Sequence, residues 1–165
     1  MKPDIHITDR GAKLSPDRLY RYRLWRRWGD GPAMTFIGLN PSTADESEDD
    51  QTIRKCIGFA VRNGCEAIEM LNLFAFRATA PSEMKAADDP VGPENDDLLL
   101  SRAKAAKLVV ACWGGDGSFM DREMYVRKLL KTHGIRLKCL GVTKKGLPRH
   151  PVVRSYAASL VDLPE

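Results

Sequence analysis

The stretch FIGLNPSTAD, residues 36–45, decides how this chain is read. It continues an apolar run from Met34 to Leu39, of the kind expected in a strand covered on both faces. It then turns abruptly to an amide, a proline and two hydroxyls. A buried strand that ends on Asn40, Pro41, Ser42 and Thr43 presents polar groups at its carboxyl end. In open α/β sheets ligands sit outside those ends. The stretch therefore predicts a parallel sheet and, at its edge, the floor of a pocket for a small molecule or nucleotide.

Working outward, the pattern repeats. Asp49 or Asp50 can cap a helix with Ile53, Ile57, Ala60 and Val61 on one face, and Gly64 suits its end. Ala67 to Phe74 reads as the next strand, and a Pro- and Asp-rich connection through Pro81, Pro90 and Pro93 leads to a helix over about Asn95 to Lys107. Leu108 to Trp113 is a third buried strand. Phe119, Val126, Leu129 and Leu130 mark another helix, and Leu137 to Val142 is a fourth strand. Upstream, residues 19–27 (LYRYRLWRR) alternate as a half-buried strand and end at the turn cluster Gly29-Asp30-Gly31-Pro32. The expected architecture is one three-layer α/β domain over residues 1–165. A mostly parallel four-stranded central sheet forms the core at 34–151, and residues 1–33 add an N-terminal strand or hairpin.

Four strand ends then meet on one rim. They bring Asn40 to Thr43; Asn72, followed by Arg77 and Thr79; Trp113, Gly114 and Gly115; and Lys144, Lys145, Gly146, Arg149 and His150. Each has a plainer explanation beside the functional one. Asn40 and Ser42 can simply cap a turn, and Asn72 can belong to a buried polar network. His150, between Arg149 and Pro151, sits in a stiffened loop beyond the last strand. The acidic run Asp45 to Asp50 reads as a solvated loop and a helix N-terminus rather than a metal site.

Composition narrows the function classes. At 165 residues, 43% apolar and 29% charged, the chain is an ordinary globular domain with no apolar stretch of membrane-spanning length. An N-terminus without a signal-like apolar segment points to the cytoplasm. The cysteines Cys56, Cys65, Cys112 and Cys139 lack metal-ligand spacing and read as reduced core thiols. There is no Walker loop and no GxSxG elbow. The formal charge of +4 is modest, but basic residues crowd at Arg18 to Arg27 and at Lys144 to Arg154, which raises DNA or a nucleotide as a partner.

The set GLNPSTAD, NLFAFRAT, VVACWG and GLPRHP resembles the bacterial and phage family catalogued as domain of unknown function 1643, over about Leu14 to Pro151. More distantly, the strand ends are similar to the uracil-DNA glycosylase superfamily. Gly38-Leu39-Asn40-Pro41 matches its first motif in the Asn form, and His150-Pro151 the start of its late motif. The cluster-binding cysteine spacing of one branch is missing, and Val152-Val153 replaces the small residues common after the late motif.

That resemblance implies a DNA-repair hydrolase that cleaves the N-glycosidic bond of a modified or damaged base without metal or organic cofactor. Asn40 would position water and His150 would hydrogen-bond the departing base. Asn72 would read the base edge, with Phe74 or Trp113 stacking on it. Gly38, Pro41, Ser42, Thr43 and Gly114 would shape the pocket, while Lys144, Lys145, Arg149 and Arg154 would hold phosphates. A non-catalytic nucleotide or nucleic-acid binding module and a hydrolase of free nucleosides or nucleotides remain the alternatives.

Overall fold

The structure is a computed structural model that describes residues 4–165, so the first three residues of the expected N-terminal extension lie outside the described residues. Its strands are β1 (Asp9–Leu14), β2 (Arg21–Arg27), β3 (Ala33–Gly38), β4 (Ala67–Asn72), β5 (Val109–Ala111), β6 (Lys138–Cys139) and β7 (Val161–Asp162). Its helices are α1 (Gln51–Arg62), α2 (Pro81–Lys85), α3 (Asn95–Ala105) and α4 (Arg122–Thr132).

The seven strands among the described residues join one mixed sheet in the order β1-β2-β4-β3-β5-β6-β7. The expectation of a four-stranded, mostly parallel sheet is corrected here. The four middle strands do run parallel, but β1, β2 and β7 add antiparallel edges. The N-terminal hairpin is part of the sheet because the outer edge of β4 carries unpaired N–H and C=O groups, and β2 satisfies them. The two exposed residues of β7 carry no apolar pattern by which a sequence could announce them.

Alternation then assigns side chains to two cores. Phe36, Ile68, Met70 and Val110 face α1, which contributes Ile53, Cys56, Phe59 and Ala60. Ile37, Leu71, Val109 and Ala111 face α3 and α4, which contribute Leu99, Ala103, Val126 and Leu130. Burial of each large apolar side chain stabilises by about 1.5–3 kcal/mol. From β3 the chain crosses to β4 beneath α1. It returns past β3 to β5 beneath α3, on the other face. The winding direction therefore reverses between β3 and β5, which opens a crevice at their carboxyl ends.

Two local departures interrupt this regular pattern, and the first aims a residue at the crevice. Lys13 pairs with Arg23 but Leu14 pairs with Arg21, so Tyr22 is an extra residue and the alternation of β2 changes phase. Arg21 thereby joins the α1 side instead of the opposite face with Arg23. The second departure shortens β5 and the helix after it. Residues 115–121 form a short 3-10 segment, and Met120 and Asp121 adopt left-handed backbone with φ of 56° and 54°. Phe119 thus lies ahead of α4 and packs on Phe74 instead of opening the helix.

Candidate functional site

A cleft of about 480 Å³ occupies the crevice. Its walls come from the carboxyl ends of β3, β4 and β5, the first turn of α1 and the loop that carries His150. Backbone bonds fix these pieces to one another. Leu73 and Phe74 N–H donate to Gly38 and Leu39 carbonyls, Ala78 N–H to Pro41, and Gly114 N–H to Pro148 at 2.8 Å. Gly114 makes that last tie with φ of +72°, a conformation that favours glycine. The tie anchors the loop that carries His150 to the end of β5, so that His150, Trp113 and Gly115 line one cleft.

Of the expected residues, Gly38, Asn40, Pro41, Ser42, Asn72, Trp113, Gly114 and His150 line the cleft. The Asn40 amide donates to Pro41 and Ala78 carbonyls at 3.1 and 2.9 Å. Both hydrogens are engaged, so its Oδ1 is the group left to act, as an acceptor. Asn72 is 1% exposed, and neither its Oδ1 nor its Nδ2 has a partner among the described residues. Gly38 makes room for it: a Cβ there would stand 3.0 Å from the Asn72 Oδ1 and 2.7 Å from Met70 Cε. The main chain around Asn72 is held from outside, since Asn95 Nδ2 donates to the Asn72 and Leu73 carbonyls and Arg122 Nε to Leu73.

His150 accepts the Val152 N–H at Nδ1, 3.2 Å away. The proton of the neutral ring is therefore on Nε2, which makes the ring a donor. Burial lowers its pKa from the ordinary value, against a smaller opposing pull from Asp50. At neutral pH the cleft thus offers a neutral N–H donor at His150, an acceptor at Asn40 and a complete donor–acceptor pair at Asn72.

Thr43, Phe74, Lys144, Lys145, Arg149 and Arg154 lie outside the lining. Phe74 is fully buried against Phe119 in the α3/α4 core, so no ring face is open for stacking. Trp113 lines the cleft but is 1% exposed with Gly117 against its ring, and its Nε1 has no partner among the described residues. Thr43 is exposed outside the lining. Lys144 and Lys145 form the exposed tip of a turn closed by Gly146 N–H on Thr143. Arg149 donates from Nε to Val142, and both Arg149 and Arg154 border Gly141, beside the His150 loop but outside the cleft.

The N-terminal basic cluster is largely internal. Arg18 pairs with Asp45 and Glu46, Arg23 with Glu69, and Arg26 with Asp49. Arg26 is 0% exposed and also donates to the Gly11, Trp25, Asp45 and Glu48 carbonyls. The acidic run is thus held by arginines. Among the described residues no group of three or more His, Cys, Asp or Glu could hold a metal ion. All four cysteines are buried and free, and burial raises the Cys56 and Cys112 thiols, which keeps them protonated. Among the described residues no helix is long and apolar enough to cross a membrane.

Sequence reasoning missed Arg21, Asp50, Gln51 and Thr52 as cleft residues. Asp50 reads as a helix cap, which it also is: its Oδ1 accepts the Ile53 N–H at 3.0 Å. Arg21 reads as the solvated face of an alternating strand, and only the bulge redirects it.

Compared with known proteins, residues 21–152 match the family described as "Protein of unknown function (DUF1643)". No curated protein and no solved structure matches the chain significantly.

Proposed function

The chain belongs to the DUF1643 family, and we propose that its cleft hydrolyses the N-glycosidic bond of a modified or damaged base in DNA. The observation that carries this reading is Asn72. A buried amide with both polar atoms unpartnered is costly by itself, and its paired donor and acceptor suit the hydrogen-bonding edge of a nucleobase. A target base in a duplex must first be flipped out of the stack to reach such a cleft, at a cost of a few kcal/mol.

In the reaction the C1′–N bond breaks with its electron pair leaving on the base. Water oxygen bonds to C1′ and gives up its proton to solvent. The His150 Nε2–H donates to the base oxygen on which negative charge accumulates, and one such preorganised donor is worth about 10²–10³ in rate. Asn40 Oδ1 accepts a hydrogen of the attacking water and orients it, a positioning role. Lys144, Lys145, Arg149 and Arg154 flank the His150 loop as phosphate contacts for a strand lying across the cleft. The resemblance to uracil-DNA glycosylases and the four neighbouring parallel strands support this assignment of roles.

A second reading, hydrolysis of free nucleosides or nucleotides, is favoured by the cleft volume, which is that of a small-molecule site. The test is base release from single- and double-stranded DNAs carrying uracil, hypoxanthine, alkylated or hydroxymethylated bases, beside Asn40→Ala and His150→Ala. Release that falls about 10²–10³-fold in His150→Ala supports the reading. DNA binding without release from any substrate supports a binding module instead, and neither binding nor release sends the search to free nucleotides.

A further inference from the structure

The cleft contains a buried positive charge that base cleavage leaves unused. The bulge in β2 sends Arg21 into the lining, where it is 2% exposed. Its Nη1 donates to the Ala44 carbonyl at 3.0 Å, but among the described residues no group accepts from its Nε. Among the described residues no carboxylate reaches ion-pair distance of it, in contrast to Arg23 and Arg26 on the same strand. A buried charge without a partner is strongly unfavourable, and burial pushes this guanidinium down to about 10. Asp50 compensates only at longer range, and the neighbouring Arg77 adds like charge.

The twelve-residue helix α1 opens on the same cleft. The Asp50 carboxylate is engaged by N–H groups, that of Ile53 at 3.0 Å and that of Ala44 at 3.4 Å. The first-turn N–H groups of Gln51 and Thr52 have no intrahelical acceptor, and both residues line the cleft. Helix N-termini with a nearby arginine are suited to phosphate, through N–H donors, dipole and guanidinium together.

We propose that Arg21 and the first turn of α1 form a phosphate-binding subsite, so that the ligand is a nucleotide held by its phosphate as well as its base. The base half rests on the reading above; the phosphate half does not. A free nucleotide and a DNA backbone share this chemistry, and the test separates them.

Calorimetric titration of the full chain uses inorganic phosphate, a nucleoside 5′-monophosphate, the matching nucleoside, and a short oligonucleotide without a terminal phosphate. The variants are Arg21→Met and Gln51→Pro. Proline is tolerated at the first helical position, and Asp50 already has the extended backbone (φ −105°, ψ −178°) that a residue before proline requires. Gln51→Pro therefore removes one cleft donor without disturbing the fold, even if Arg21→Met were to unfold.

The expected result is phosphate binding by the wild type, weakened about tenfold or more in both folded variants, with the monophosphate bound more tightly than the nucleoside. Preference for the monophosphate over the oligonucleotide identifies a free nucleotide, and the reverse identifies the DNA backbone. No phosphate binding by the wild type, or affinity unchanged in the folded variants, overturns the subsite. Phosphate binding without base release from any substrate would remove the glycosylase reading and leave the subsite standing.

Discussion

Replacing Asn72 with leucine should make the ligand-free protein more stable. The side chain is 1% exposed and neither polar atom has a partner among the described residues. Each buried unsatisfied group costs about 1–3 kcal/mol, and replacing a polar side chain by an apolar one of the same shape removes that cost. Leucine branches where asparagine does, and Gly38, which has no side chain, adds no Cβ against it. Taking the lower figure for both atoms gives about 2 kcal/mol of stabilisation. For a chain of this length that is about 4–8 °C in Tm. The assay is thermal unfolding by circular dichroism without ligand, wild type beside Asn72→Leu, followed by nucleotide binding to both. A raised Tm with binding lost is the expected pair. A Tm that is unchanged or falls would refute the reasoning, because the amide would then be a satisfied structural group and the strongest support for the proposed function would go with it.

Arg26→Met should have the opposite sign from a functional site: it removes a fully buried guanidinium from its pair with the partly exposed Asp49 and should cost about 3–5 kcal/mol, measured by denaturant unfolding. Met120→Gly relieves a left-handed backbone at an exposed side chain and should stabilise by about 1 kcal/mol in the same assay. Gly38→Ala should fold yet lose ligand binding, since the new Cβ meets the Asn72 Oδ1 at 3.0 Å and forces the amide aside. The folded-state pKa of His150 is lowered from 6.5, so the unfolded chain binds that proton first as pH falls. The stability contributed by the neutral ring is present above pH 6.5 and lost as pH falls through the depressed folded value. His150→Gln should flatten that part of a Tm-versus-pH curve.

The middle of the fold was legible because burial on both faces writes long apolar runs. Met34 to Leu39 and Ala67 to Phe74 overlap β3 and β4 closely, and Asp50 and Gly64 bracket α1. What two-sided burial does not write was lost. β7 is two exposed residues, and the hairpin's attachment to β4 is a backbone matter that side chains do not encode. Phe119 reads as helix because its spacing to Val126 is helical, whereas the left-handed pair Met120-Asp121 breaks the register between them.

The candidate site follows the same division. Asn40, Asn72 and His150 are conspicuous as polar groups at apolar strand ends, and they meet in one cleft. Phe74 looks equally well placed in sequence, but its side chain belongs to the α3/α4 core. Arg21 is invisible to alternation because a one-residue bulge changes which face it occupies. The arginine-rich run at residues 18–27 likewise reads as a surface for polyanions until the acidic loop 45–50 folds against it.

The central claim is that water attacks a sugar carbon in this cleft and a base departs. The measurement that meets it most directly is a turnover in ¹⁸O-labelled water, with mass analysis of both products. The expected result is one ¹⁸O on the sugar product, none on the released base, and both products lowered about 10²–10³-fold in His150→Ala. Label on the base, or a substrate recovered intact and unlabelled across DNA and free nucleotides alike, would contradict it.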